Sequence, residues 1–321
     1  EYLLALNFPQ IDFNILMSRA ARILERKQNT KVTQKVSRYK YLMVDEYQDF
    51  SYLFFNIIQA IRQNCPAAHL FAVGDDWQAI NRFAGSDVKY FLDFAKFFPE
   101  DTVNIPLNTN YRSDRKIVEN ANKYMLAHYN PRAEKARAFS RYNGKIKYQN
   151  PEKTKFDQKD LAEDALRDAK FQLALAKTCG GNASEYASAA QLLKTVYKIA
   201  KHHRREQILL LHRHNFTSFT NVTLDNFATA LRNLLVEQNI LRSSEADNIR
   251  AMTMHKSKGL ESDVVILLEC NRDQVLGQHP HATIFELFSD TRAAEKADQH
   301  RLLYVALTRA KHRLYILHND R

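Results

Sequence analysis

Apolar residues recur at helical spacing between positions 11 and 27, through Ile11, Ile15, Leu16, Ile23 and Leu24, and predict an amphipathic helix. The period then shortens. Tyr39 to Val44 reads as a buried strand, and Ser51 is placed to cap a helix reaching about Gln63. His69 to Val73 predicts a second strand, Asp87 to Phe97 a helix stopped near Pro99, and Val103 to Leu107 a third strand. Strands alternating with helices in this way predict a parallel sheet with helical crossovers.

The remainder repeats the theme. Ser113 reads as the cap of a helix to about Ala127, followed by a break at Asn130-Pro131. Lys145 to Tyr148, Ile208 to Leu211, Val264 to Leu268 and Leu314 to Leu317 predict strands. Leu161 to Lys177 and Ala187 to His202 predict helices parted by a Gly180-Gly181-Asn182 turn, and a long helix is expected from Ala293 to Lys311. The pattern predicts two α/β layers in tandem with a boundary near residues 110 to 115.

Composition narrows the class. The chain has 321 residues, enough for two domains with their own cores. Its net charge of +11, from 47 basic and 36 acidic residues, suits a polyanionic partner such as nucleic acid. Cys65, Cys179 and Cys270 lie far apart, with neither metal-ligand spacing nor a disulfide framework, which fits a reducing cytoplasm. No apolar run reaches the roughly 18 residues of a membrane span. The first residues lack a signal peptide's basic region, and there is no initiator Met, so the chain is expected to start inside a longer protein.

The candidate chemistry sits at the ends of apolar runs. Asp45-Glu46 follows Tyr41-Leu42-Met43-Val44 and puts two carboxylates at the carboxyl edge of a sheet, where open α/β sheets bind ligands. Asp45 suits Mg²⁺, which takes oxygen ligands, and Glu46 suits the orienting or deprotonation of an attacking water. Alone, the pair also reads as a solvated turn. Gly74-Asp75-Asp76-Trp77-Gln78 ends the next strand, and an amide at Gln78 can both donate to a phosphate oxygen and accept from water. Trp77 and Phe83 read equally as core residues or as rings on which a base stacks.

Further blocks follow in order: Asn110-Tyr111-Arg112-Ser113, then Thr253-Met254-His255-Lys256-Ser257-Lys258-Gly259-Leu260-Glu261, then Tyr304-Val305-Ala306-Leu307-Thr308-Arg309-Ala310-Lys311. With Asp45-Glu46-Tyr47-Gln48-Asp49-Phe50-Ser51 and Gly74 to Asp87, they resemble superfamily 1 DNA helicases of the UvrD/Rep/PcrA type. The resemblance spans nearly the whole chain, with residues 130 to 205 matching only by order of elements. It implies two tandem RecA-like P-loop NTPase domains with parallel sheets, the first incomplete. These are expected at 1–112 and 113–321, with a reduced insertion at about 214–250. It also implies an ATP-dependent DNA helicase that steps along single-stranded DNA, 3′ to 5′, and unwinds duplex in repair or replication.

The same resemblance implies roles. Asp45 resembles the Mg²⁺ carboxylate, Glu46 the catalytic base and Gln78 the γ-phosphate sensor. Tyr111 resembles the ring that stacks on adenine, Arg112 a γ-phosphate contact, and Gly259 and Glu261 part of the nucleotide-contacting motif. Arg309 resembles an arginine finger, whose planar guanidinium neutralises charge on a transferring phosphoryl group. His255 and Lys256 read as contacts to a DNA phosphate or as solvated. Lys194, Lys198, Lys201 and Arg205 recur at helical spacing and read as a solvated face ahead of a DNA track.

There are departures. No Gly-x-x-x-x-Gly-Lys-Ser/Thr occurs, so the backbone cradle for the β-phosphate is missing from this sequence. The loop is expected on an N-terminal part absent here, and the chain alone is expected to be inactive. Asn81 stands where relatives often carry an aromatic, which shifts base stacking to Trp77, Phe83 or a residue elsewhere. Two rival readings are a non-catalytic DNA-binding module and the helicase part of a helicase-nuclease.

Overall fold

The computed structural model describes residues 12–26, 30–99, 102–129, 135–151, 161–215, 222–271, 275 and 291–318. The break expected at Asn130-Pro131 lies outside them. The chain divides into two compact units, Glu1–Ile105 and Pro106–Arg321.

In the first unit, helix α1 (Phe13–Glu25) starts where the Asp12 carboxylate accepts from the Ile15 amide at 2.7 Å. A short helix not foreseen, α2 (Thr30–Val36), leads into strand β1 (Tyr41–Val44). Helix α3 (Tyr52–Asn64) is capped by Ser51, as its sequence predicts, and strand β2 (His69–Ala72) follows. The two strands pair in parallel, Tyr41 with His69 through Val44 with Ala72, and form a two-stranded sheet. Leu42 packs with Leu24, Val36, Ala60, Cys65 and Ala68 on the helical side. The other face, with Tyr41, Met43 and Phe71, is exposed.

Two expectations fail here. The helix predicted over Asp87–Phe97 is broken into α4 (Lys89–Leu92) and α5 (Phe94–Phe97), because Asp93 leaves helical geometry at φ −102° and ψ 29°. The break lets Tyr90 and Phe98 pack with Tyr47 and Phe50 in an aromatic cluster. The strand expected at Val103–Leu107 does not form. A strand needs a ladder partner as well as apolar residues, and Val103, Ile105 and Leu107 are exposed and outside any regular element.

The second unit begins with β3 (Thr109–Asn110), α6 (Arg115–His128), β4 (Arg137–Ala138) and β5 (Lys145–Gln149). Helices α7 (Leu161–Cys179) and α8 (Ala187–His202) lead to β6 (Ile208–His212). Then come α9 (Leu224–Glu237), β7 (Ile249–Thr253), β8 (Ser262–Leu267), α10 (Thr291–Leu307) and β9 (Ala310–Leu317). Five strands make one parallel sheet in the order β5-β9-β8-β6-β7, while β3 and β4 pair separately. Every residue of β6 is buried, as parallel strands covered on both faces require. Leu193, Val196, Phe227, Leu231, Val264 and Ile266 build the main core with α7, α8 and α9. Burying each such side chain contributes roughly 1.5–3 kcal/mol.

Corrections apply in this unit too. Helix α6 is entered through Asp114, and the Ser113 hydroxyl donates instead to the Ala310 carbonyl at 2.7 Å. Helix α10 stops at Leu307, four residues before the expected end, because Ala310 already pairs with Ser262. The parallel α/β arrangement itself is that of the expected RecA-like layers. Among the described residues no helix is long and apolar enough to cross a membrane.

Candidate functional site

In the first unit the site builds at the carboxyl end of β1. Asp45 and Glu46 follow the strand directly and are exposed. Glu46 sits in the left-handed region at φ 50°, and its amide donates to Asp45 Oδ1 at 2.9 Å. Strained backbone of this kind persists where surrounding structure fixes it. Here the Tyr47 amide donates to the Val73 carbonyl at 2.8 Å, while the Gln48 side-chain amide donates to Glu46 Oε2. Gln48 Oε1 accepts from the Asp75 amide at 2.9 Å. Gln48 therefore ties the carboxylate turn to the glutamine block, a link its position in the sequence does not announce. Gly74 permits it: a Cβ there would stand 2.5 Å from Gln48 Oε1.

Gln78 donates to Asp75 Oδ2 at 2.8 Å, within its own block. Asn81 donates to Asp49 Oδ2 at 2.7 Å. The residue that departs from the aromatic pattern thus bridges the two blocks. The two candidate stacking rings separate clearly. Trp77 is 4% exposed and belongs to the interior, whereas Phe83 is 79% exposed.

Residues fit for Mg²⁺ can be tested on the same turn. Among the described residues no three His, Cys, Asp or Glu side chains cluster as a metal cage. Mg²⁺ is usually held by one or two carboxylates together with waters and substrate phosphates. An exposed Asp45 beside Glu46 matches that minimal donor set.

The second unit carries two groups on opposite edges of its sheet. At the amino edge, before β8 and β9, the Arg112 Nε donates to Glu261 Oε2 at 2.9 Å and Lys311 reaches Glu261 Oε1 at 2.8 Å. These ion pairs, Lys311 first and then Arg112, hold the Glu261 carboxyl below its usual range. Asn110 Oδ1 accepts from the amides of both Arg112 and Ser113, at 3.0 and 2.9 Å, and fixes the turn. Tyr111 is 73% exposed and pairs with Phe139, ring centroids 4.8 Å apart. Gly259 takes φ +79°, a left-handed conformation suited to glycine, just before Glu261.

Arg309, which resembles an arginine finger, lies in the interior. It is 1% exposed. Its guanidinium donates to the Val305 carbonyl at 2.8 Å, the Leu260 carbonyl at 3.2 Å and the Thr308 hydroxyl at 3.0 Å. To meet a phosphoryl group it has to exchange these acceptors. Lys311 and Phe139 are the neighbours that sequence reading missed. Lys311 was visible as the last residue of its block, whereas Phe139 joins through strand pairing far along the chain.

At the carboxyl edge, the Met254 amide donates to the His212 carbonyl at 2.9 Å and sets the turn His255–Ser257. His212 Nε2 lies 3.1 Å from Glu269 Oε2 in a fully buried pair, with Glu269 at φ 47°. Burial, with Arg213 and His214 nearby, pulls His255 down to about 4. The imidazole is therefore neutral at pH 7, and a charged contact to a DNA phosphate at this turn falls to exposed Lys256. A five-residue strand, about 17 Å long, separates the two edges.

The UvrD-like helicase C-terminal domain matches residues 159–321, and the UvrD/REP helicase N-terminal domain matches residues 4–99. The chain belongs to the UvrD-like helicase family. DNA helicase IV of Escherichia coli (strain K12) is 30% identical over 312 residues, 96% of this chain and 37% of that protein. The putative ATP-dependent DNA helicase YjcD of Bacillus subtilis (strain 168) is 35% identical over 112 residues, 35% of this chain and 14% of that protein. The ATP-dependent DNA helicase PcrA of the same strain is 32% identical over 114 residues, 35% of this chain and 15% of that protein. The chain therefore spans well under half the length of these relatives.

Proposed function

We propose that the chain is the part of an ATP-dependent DNA helicase that carries the metal carboxylate, the catalytic base and the second RecA-like domain. The observation that carries this reading is the meeting of Arg112, Glu261 and Lys311, drawn from three distant segments to one sheet edge beside exposed Tyr111. A lone structural ion pair has no use for the second cation or the open ring. Tyr111 stacks on adenine, and Arg112 and Lys311 bind phosphate oxygens on release from Glu261. Glu46 orients the attacking water, and Gln78 reads the γ-phosphate. Asp45 would hold Mg²⁺, which would supply charge neutralisation on the phosphates. Arg309, once freed from its carbonyls, stabilises charge on the transferring group.

The motor acts on single-stranded and duplex DNA, moves 3′ to 5′, and serves repair or replication in the cytoplasm. The phosphate-loop motif is absent from this sequence, so hydrolysis requires that loop to be supplied. Steady-state ATP hydrolysis with and without single-stranded DNA tests this. Negligible turnover by the chain, restored by a helicase segment bearing the loop, supports the reading. Hydrolysis by the chain alone, or none with the loop supplied, overturns it.

A further inference from the structure

At the amino edge of the second unit's sheet lies a recess of about 570 Å³ that belongs to none of the groups above. Lys198, Lys201, His202, Arg204 and Arg205 line it together with His203 and Glu206. It forms where α8 ends and the chain turns into β6. The turn is tight: the Glu206 amide donates to the His203 carbonyl at 2.9 Å, leaving Arg204 and Arg205 at its tip.

The turn is also anchored. His203 is buried, with Nδ1 2.9 Å from Glu206 Oε1 and Nε2 2.7 Å from the Tyr315 hydroxyl. Burial lowers the His203 pKa against the pull of Glu206, so it acts as a neutral post and adds no charge to the recess. Glu206, the one carboxylate in the lining, also engages Arg313 at 3.6 Å. It is thus committed to the anchor. Among the described residues no carboxylate pairs with Lys201, Arg204 or Arg205, and all three are exposed.

The lysine stripe read from the sequence as a solvated face therefore has two parts. Lys194 is buried, while Lys198, Lys201 and Arg205 open into the recess. Cations in a last helical turn favour the helix dipole. That accounts for Lys201 and His202 but not for two arginines carried past the helix on a pinned turn. Concentrated like charge costs free energy through self-repulsion, which a bound polyanion relieves.

We infer that this recess is a second nucleic-acid site, which takes the phosphodiester backbone of DNA through Lys201, Arg204 and Arg205. Only the choice of DNA among polyanions rests on the helicase reading. The recess is on the sheet edge opposite Lys256, so it holds a stretch of backbone other than the one at that turn. Several cations around an open mouth suit a run of phosphates and carry no base readout.

The test is fluorescence anisotropy of the 321-residue chain with a labelled single-stranded oligonucleotide, titrated with salt. The triple variant Lys201→Ala/Arg204→Ala/Arg205→Ala is expected to bind at least about tenfold more weakly at low salt. Its log–log salt slope should be shallower by about 2, at roughly 0.7 per lost phosphate contact. Arg204→Lys/Arg205→Lys, which keeps the charge, should bind like the parent, and all variants should melt alike because these side chains are exposed. Equal slopes for the parent and the triple variant, or no binding by the parent, would overturn the site. Displacement of the oligonucleotide by inorganic tripolyphosphate at equal phosphate concentration would also overturn it, as a site for any oligophosphate. Equal slopes or displacement by tripolyphosphate remove this site alone and leave the helicase reading to ATP hydrolysis, whereas no binding by the parent counts against both.

Discussion

At the scale of single residues, Trp77 and Phe83 show how little separation in sequence is needed for opposite fates. Trp77→Ala removes a buried ring and should cost about 3–5 kcal/mol in a denaturant titration. Phe83→Ala should leave stability within about 0.5 kcal/mol. In the loop-complete protein it should weaken single-stranded DNA binding by about 1–3 kcal/mol, the worth of one stacked base. An unchanged affinity would remove Phe83 from the DNA site. His255 makes a pH prediction. Its folded pKa of about 4 lies below the ordinary 6.5, so the folded state binds fewer protons than the unfolded chain between those values. Stability therefore rises with pH through that window and is lost on acidification. Melting curves should shift down between pH 7 and pH 5, and His255→Gln should flatten that slope. Glu261 works in the same direction at lower pH, since its pKa is held down by Lys311 and Arg112. With a partly exposed side chain the pair is worth less than about 1 kcal/mol, so Glu261→Gln should barely change the melting temperature.

At the scale of elements, what could be read depended on range. The strand ending in Asp45-Glu46 was legible because four apolar residues and a polar pair lie side by side, and the Ser51 cap because its partner is three residues on. The end of α10 was not legible. Arg309 to Lys311 continue helical spacing with no Gly or Pro, and only the ladder between Ala310 and Ser262 decides the boundary. Val103 to Leu107 had strand-like residues but no partner to pair with. The bridges Gln48–Asp75, Asn81–Asp49 and Tyr111–Phe139 were hidden for the same reason: each spans more than a turn or hairpin. One glycine tests the first bridge. Gly74→Ala would place a methyl 2.5 Å from Gln48 Oε1 and 2.9 Å from the Phe91 ring. It should destabilise by about 1–3 kcal/mol, the usual range for overpacking, and loosen the carboxylate turn. A thermal melt that matches the parent would show that the Gln48 side chain simply moves aside.

At the scale of the molecule, the two units are built to different degrees. The second has a five-stranded parallel sheet whose strand β6 is buried throughout. Among the described residues the first has a two-stranded sheet with its core on the helical side. Hydrogen exchange should therefore be slowest in β6 and β8 and markedly faster in β1 and β2. Equal protection in the two sheets would contradict this ranking.

The uncovered face of β1 and β2 has a colloidal consequence. Tyr41, Met43 and Phe71 stand together on it, and Met43 pairs across the ladder with Phe71. Adjacent apolar rings and a thioether on a short open sheet are a template for edge and face association. The net charge of +11 opposes that association by mutual repulsion at low ionic strength. Salt screens the repulsion and leaves the apolar attraction. The purified chain should therefore be a monomer in dilute buffer and scatter increasing light as sodium chloride is raised, with Met43→Thr/Phe71→Thr blunting the rise.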